Sequence, residues 1–210
     1  MKSSASLILA SASPRRRELL RATGIRFRVI PSRAAESAAF PGEDPRRYVR
    51  RAAWDKGYEV SVRFPGAWVL SADTIVTLDG KILGKPSDRR QAFRMLSLLA
   101  GREHRVYTAV CLLRADRSYR ADATGATRVR FRALSPAEIE GYLRTGESDD
   151  KAGAYAAQGA GTALIERVSG SFSNVVGLPM AKTISMLQAA HLLDVDPDGP
   201  GWYRWAGERA

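Results

Sequence analysis

The chain has 210 residues, a single cysteine and a formal net charge of +11. Cys111 alone excludes an intrachain disulfide and any cysteine-based metal cluster. No apolar run reaches transmembrane length, and the opening residues lack signal-peptide architecture, so the cytoplasm is the expected compartment. The positive balance invites a nucleic-acid reading. It is mostly arginine scattered along the whole chain, with no basic stripe interleaved by aromatics, and it favours an anionic ligand over DNA.

Residues 7–10, Leu-Ile-Leu-Ala, read as a short buried strand. The small-residue turn Ser11-Ala12-Ser13 follows, and Pro14 opens a helix. Ser13 suits an N-cap and Pro14 the first helical position, where a missing backbone N–H costs the helix nothing. Such a turn points free N–H groups and the positive end of the helix dipole at one spot. Arg15, Arg16 and Arg17 sit in that first turn, against the dipole, and need a compensating anion. Two readings stay open: solvated arginines on a common α/β opening, or a polyanion site. No G-x-x-x-x-G-K-[ST] loop occurs.

After Gly24, residues 25–30 alternate as a strand, and 31–43 form a loop containing Glu36. Asp44-Pro45 starts a helix in which Tyr48, Val49, Ala52, Ala53 and Val60 recur at helical spacing. Lys56 shares that stripe and either snorkels or serves a site. Residues 68–76 are nearly all apolar, as a strand buried on both faces should be, and Asp73 interrupts them. A carboxylate there must be hydrogen-bonded, paired with a cation or placed at an opening. It either bonds a neighbouring turn or has a function. Residues 78–81 form a hairpin turn that carries the chain back and brings Lys85 toward Asp73. A helix is expected over 88–100, with Phe93, Leu96 and Leu99 inward.

Residues 105–113 and 127–133 read as two strands suited to an open sheet edge or a dimer surface. Ser135-Pro136-Ala137-Glu138 has capping-box spacing and starts a helix through Arg144. Residues 149–161 are either a flexible Gly/Ala connector or a functional loop in which Lys151, Tyr155 and Gln158 supply charge, an aromatic face and a base-reading amide. A strand over 163–168 and a polar turn precede a last helix ending near 193. The Pro/Gly-rich tail beyond it reads as an appendage that Trp202 and Trp205 can anchor. His104 and His191 read as structural.

The segments S-A-S-P-R-R, S-A-D-T-I-V, G-K-P, K-A-G-A-Y-A-A-Q-G and G-S-F-S-N-V-V-G-L-P occur in this order. Together they resemble the Maf family of nucleoside triphosphate pyrophosphatases over residues 7–193. The resemblance implies an α/β, two-lobed inosine-triphosphatase-like fold with a central mixed sheet, flanking helices and a cleft between the lobes. It implies a domain over 1–194 and a C-terminal tail over 195–210. It also implies a divalent cation, Mg²⁺ or Mn²⁺, and a homodimer. From composition, no membrane partner is expected and the scattered charge disfavours nucleic acid.

By the same resemblance, Asp73 matches the catalytic base, and Arg16, Lys56 and Lys85 match phosphate-contacting cations, with Lys85 counted as catalytic. Glu36 matches an acidic residue near the metal, so Glu36 and Asp73 are the expected metal ligands. Ser11 and Ser13 match the phosphate turn. Arg15, Thr74 and Gln158 occupy the positions that separate the dTTP/UTP branch from the 7-methyl-GTP branch, and all three look like the pyrimidine branch. Ala12 in place of a commoner glycine and the Ala156-Ala157 pair are departures that bear on fine substrate preference. The expected activity is hydrolysis of dTTP and UTP, with modified pyrimidine nucleotides as further candidates, to the monophosphate and pyrophosphate, a house-cleaning of the nucleotide pool. The alternatives are a purine-type or 7-methyl-GTP pyrophosphatase, or a non-enzymatic, basic nucleic-acid-binding or cell-division regulator.

Overall fold

The computed structural model describes residues 6–198 and 202–207. Its centre is a seven-stranded mixed sheet in the order β2-β1-β3-β5-β6-β7, with β4 paired to β3. These strands are β1 (Leu7–Leu9), β2 (Arg28–Val29), β3 (Trp68–Leu78), β4 (Lys81–Leu83), β5 (Glu103–Arg114), β6 (Tyr119–Phe131) and β7 (Ile165–Ser169). The chain divides into two compact units, one of Met1–Asp73, Ala109–Thr124 and Gly177–Ala210, the other of Thr74–Thr108 and Gly125–Val176. The long strands β3, β5 and β6 therefore contribute residues to both.

In the first unit β1 runs parallel to β2 and to β3, with Leu7 opposite Trp68 and Leu9 opposite Leu70. β2 is only the end of the strand expected over 25–30. Helix α1 (Pro14–Arg21) is capped as its sequence predicts, Ser13 accepting the N–H of Arg16. Helix α2 (Pro45–Arg63) is capped by Asp44, whose carboxylate accepts from the N–H groups of Arg46 and Arg47. The core gathers Leu7, Leu9, Leu20, Leu70, Val110 and Leu112 with Leu178 and Leu187. Such residues fill one interior because a strand buried on both faces has no polar side to spend.

Helix α2 lies so close to the sheet that a Cβ on Gly57 would fall 2.4 Å from Leu113 Cδ1 and 2.5 Å from Ser71 Oγ. Glycine is the residue that permits this approach. Ser71 Oγ uses the proximity to donate to Ala53 O at 2.7 Å.

Helix α6 (Met180–Ala189) stops well before the expected end near 193. His191 takes a left-handed conformation, φ 55°, and redirects the chain without a glycine. Strand β8 (Leu193–Val195) then pairs antiparallel with β9 (Tyr203–Trp205). Leu193, Tyr203 and Trp205 join the core, so the boundary expected at 194/195 falls inside β8. Trp202 is exposed; Trp205 does the anchoring.

In the second unit, Asp79 and Gly80 both have positive φ and join β3 to β4, the backbone a two-residue hairpin demands. Helix α3 (Arg89–Leu99) buries Ala92, Met95, Leu96 and Leu99, while Phe93 is only partly covered. Helix α4 (Pro136–Leu143) carries the complete capping box of Ser135 and Glu138. A short helix α5 (Phe172–Val176) follows β7.

Two sequence expectations fail here. β5 is flanked by β3 and β6 and is buried from Val106 to Arg114, so it is an interior strand and not an edge. β6 starts at Tyr119, far ahead of 127, because pairing in the sheet overrides the weak strand propensity of Ala, Asp and Gly. Among the described residues, no helix is long and apolar enough to cross a membrane.

Candidate active site

Ser11 and Ser13 build the turn that the first helix grows from. Ser11 Oγ accepts from the Ser13 N–H at 3.2 Å and from Arg16 Nη1 at 3.2 Å. Arg16 does more than face solvent in a first turn. Its Nε donates to Gly177 O at 2.7 Å and its Nη1 to Ala72 O at 2.7 Å. The guanidinium fork thus grips the backbone of β3 at the residue before Asp73. Burial holds its pKa below the ordinary arginine value; the Asp73 charge opposes that shift and Arg15 adds to it. It stays a cation throughout.

Asp73 is reached from α2. Lys56 Nζ donates to Asp73 Oδ1 at 2.6 Å and to Glu36 Oε1 at 3.1 Å. The side chains of Lys56 and Asp73 are 18% and 14% exposed, against 54% for Glu36, so the first pair is largely desolvated and the second is a rim contact. Burial alone would depress the lysine; the charge and hydrogen bond of Asp73, joined by Glu36, outweigh it and raise the pKa above 10.5. The lysine does not merely snorkel.

The loop that carries Glu36 is tied down onto α2. Arg51 forms a two-pronged bond with Glu43, 3.1 and 2.7 Å, and donates to Ala38 O at 3.1 Å. Its guanidinium lies 4.4 Å from the Phe40 ring centroid. Arg33 N–H adds a bond to Glu59 Oε2 at 2.9 Å. Tyr48, half-buried on α2, feels the same acids: burial, then the charges of Asp73 and Glu36, push its phenol up.

The structure therefore brings Ser11, Ser13, Arg15, Arg16, Glu36, Lys56 and Asp73 together in the first unit. Thr74, Lys85 and Gln158 belong to the second. Thr74 Oγ1 lies 3.0 Å from Thr108 Oγ1, and Thr108 donates its one proton to Asn174 O at 2.7 Å. Thr74 is therefore the donor of the first bond. Lys85 is exposed just beyond β4, and Gln158 is partly exposed at the start of a short 3-10 turn. Sequence reasoning missed Tyr48 as a site neighbour and Arg51 as the brace of the Glu36 loop. Their spacing on α2 is the same whether they serve a site or a surface.

Among the described residues no three His, Cys, Asp or Glu side chains converge as a metal cluster. The carboxylates that do converge are Glu36 and Asp73, each bonded to the same ammonium. Two hard oxygen donors suit Mg²⁺ or Mn²⁺, ions that take their remaining ligands from water and phosphate. The pair fits such an ion. Chemically, the arrangement offers an oriented carboxylate able to take a proton, set beside fixed positive charge able to hold a polyanion.

Residues 6–190 match the family described as Maf-like protein. The chain is 48% identical, over 85% of its length and 94% of the other's, to a dTTP/UTP pyrophosphatase of Syntrophomonas wolfei. It is 51% identical to a dTTP/UTP pyrophosphatase of Symbiobacterium thermophilum, over 86% of this chain and 92% of that protein. A dTTP/UTP pyrophosphatase of Myxococcus xanthus is 50% identical over 89% and 93%. Among solved structures, the Ham1 protein of Staphylococcus aureus superposes with a TM-score of 0.52 at 13% identity, covering 89% of this chain and 97% of that one. That likeness shows a shared α/β fold.

Proposed function

This chain belongs to the Maf-like protein family, and on that premise we propose that it is a nucleoside triphosphate pyrophosphatase hydrolysing dTTP and UTP to the monophosphate and pyrophosphate. The observation that carries the reading is the Asp73 carboxylate held by Lys56 in the same unit as the arginine-bearing turn. Pyrimidine specificity is supported by the names of relatives that share about half their residues with this chain.

In this mechanism Lys56 fixes Asp73 Oδ1, and the second carboxylate oxygen takes a proton from water. The water oxygen bonds to the α-phosphorus as the bond to the α–β bridging oxygen breaks. The electron pair leaves with pyrophosphate. Arg15, Arg16 and Lys85 supply positive charge to the triphosphate as negative charge builds on the leaving group. Arg16 also fixes the strand that carries the base, through Ala72 O.

Glu36 and Asp73 would hold the divalent ion, which when bound neutralises charge on phosphate oxygens. Gln158 presents an amide donor and acceptor to the uracil or thymine edge, with Thr74 as second base-side residue. A cytoplasmic homodimer that clears unwanted pyrimidine triphosphates belongs to the same reading. Light scattering tests the dimer.

The direct experiment is pyrophosphate release from a panel of nucleoside triphosphates with and without Mg²⁺. Release from dTTP and UTP well above that from purine triphosphates and 7-methyl-GTP, lost without metal, is the expected result. Flat release across the panel, or none, would overturn the reading.

A further inference from the structure

The loop that carries Gln158 is built unlike a connector. Tyr155 is buried, and its hydroxyl lies 2.8 Å from His104 Nε2 on β5. The two rings and Phe131 form a closed set of edge contacts, with centroids 4.8 to 5.4 Å apart. One residue on, the N–H of Ala156 donates to the Tyr142 hydroxyl at 3.0 Å. On the far side of Gln158, Glu147 accepts from the N–H groups of Ala160 and Gly161 at 3.0 and 3.1 Å. A Cβ on Gly161 would fall 2.0 Å from Ala156 O, so the two ends of the loop touch.

Ala154 lies in the left-handed region at φ 60°, which a residue with a Cβ occupies only where its surroundings dictate it. Between these anchors Gln158 stays partly exposed, and its side chain makes no cap to the turn that follows.

We propose that His104 and Tyr155, aided by Tyr142 and Glu147, are positioning residues for Gln158: they mount the loop in its ligand-reading shape before a nucleotide arrives. This rests on Gln158 reading the base, as proposed above. A flexible loop would have to be ordered by each incoming nucleotide, and that ordering would weaken binding. A loop pinned on both sides of its reading residue escapes the penalty. The mount therefore acts on substrate binding and leaves the chemical step at Asp73 alone.

The test is a double-mutant cycle of Tyr155→Phe and Gln158→Ala, read as kcat and KM for dTTP and UTP. Tyr155→Phe keeps the ring and removes the hydroxyl bonded to His104. KM should rise about three- to tenfold while kcat stays within about twofold. In the Gln158→Ala background the same change should leave KM where Gln158→Ala alone has set it. An unchanged KM for Tyr155→Phe, a fall in kcat alone, or full additivity in the double variant overturns the mount. If Gln158→Ala itself changes neither KM nor base preference, the base-reading role fails first, and the mount fails with it. Should Tyr155→Phe not fold, as judged by its melting transition, Glu147→Ala releases the other end of the loop and runs through the same cycle with the same criteria.

Discussion

Lys56 on α2 donates to Asp73 on β3 across 2.6 Å, the bond that makes a lone acid in an apolar strand tolerable. Removing either member of a desolvated pair leaves the other without compensation. Lys56→Met should therefore cost about 1–3 kcal/mol, short of the fully buried case because both side chains keep some exposure. Urea titration of the variant reads that loss directly. An unchanged midpoint would mean that Asp73 needs no partner.

The pH range of that bond follows from the raised lysine pKa. A cation whose folded value exceeds its unfolded value contributes stability in full below the unfolded value and loses it as pH rises through the folded one. The Lys56 contribution should then be constant below about pH 10 and fall only above 10.5. Stability measured from pH 7 to 11 in wild type and Lys56→Met checks this. Convergence of the two already at pH 9 would contradict it.

His104 sets the opposite limit. Burial pushes its pKa down to about 4 from 6.5, so the folded protein holds it neutral while the unfolded chain takes a proton. Stability should be lost as pH falls from 6.5 toward 4, by about 3 kcal/mol over the whole interval. His104→Leu should show a flatter profile over this range by chemical denaturation. A slope equal to wild type would assign the acid sensitivity elsewhere.

Gly57 offers a packing test away from the chemistry. Gly57→Ala gains helix propensity of about 1 kcal/mol but drives a methyl into Leu113 and Ser71. Overpacking of this kind costs about 1–3 kcal/mol, and here the methyl would press on a Ser71 hydroxyl already bonded to Ala53 O and on the end of the buried Leu113 side chain. The melting temperature should fall by several degrees. A rise would show that α2 can lift off the sheet.

Much of this was legible in the sequence. Asp73 stood out because nothing else in residues 68–76 carries a charge, and Lys56 because it sits on the buried stripe of α2. The Asp79-Gly80 turn and the Ser135/Glu138 box announce themselves through residues that few other conformations favour. What escaped depends on contacts distant in sequence. The opening half of β6 is polar and small, and only its place in the sheet makes it a strand. α6 ends at a left-handed histidine, where a glycine would have signalled the stop. β8 and β9 are short segments whose pairing turns a Pro/Gly-rich tail into part of the core. At the site, Arg16 has the residue type of a phosphate ligand; that its Nε and Nη1 also hold two backbone carbonyls is a second role that only the fold reveals.

The most direct measurement is pyrophosphate release from dTTP by the Asp73→Asn variant beside wild type, at equal Mg²⁺, with nucleotide binding followed in parallel. Loss of the proton acceptor should lower kcat by about 10²–10⁴-fold while the variant still binds the nucleotide. Turnover within a few-fold of wild type would remove Asp73 from the chemistry and leave the Lys56–Asp73 pair a structural bond.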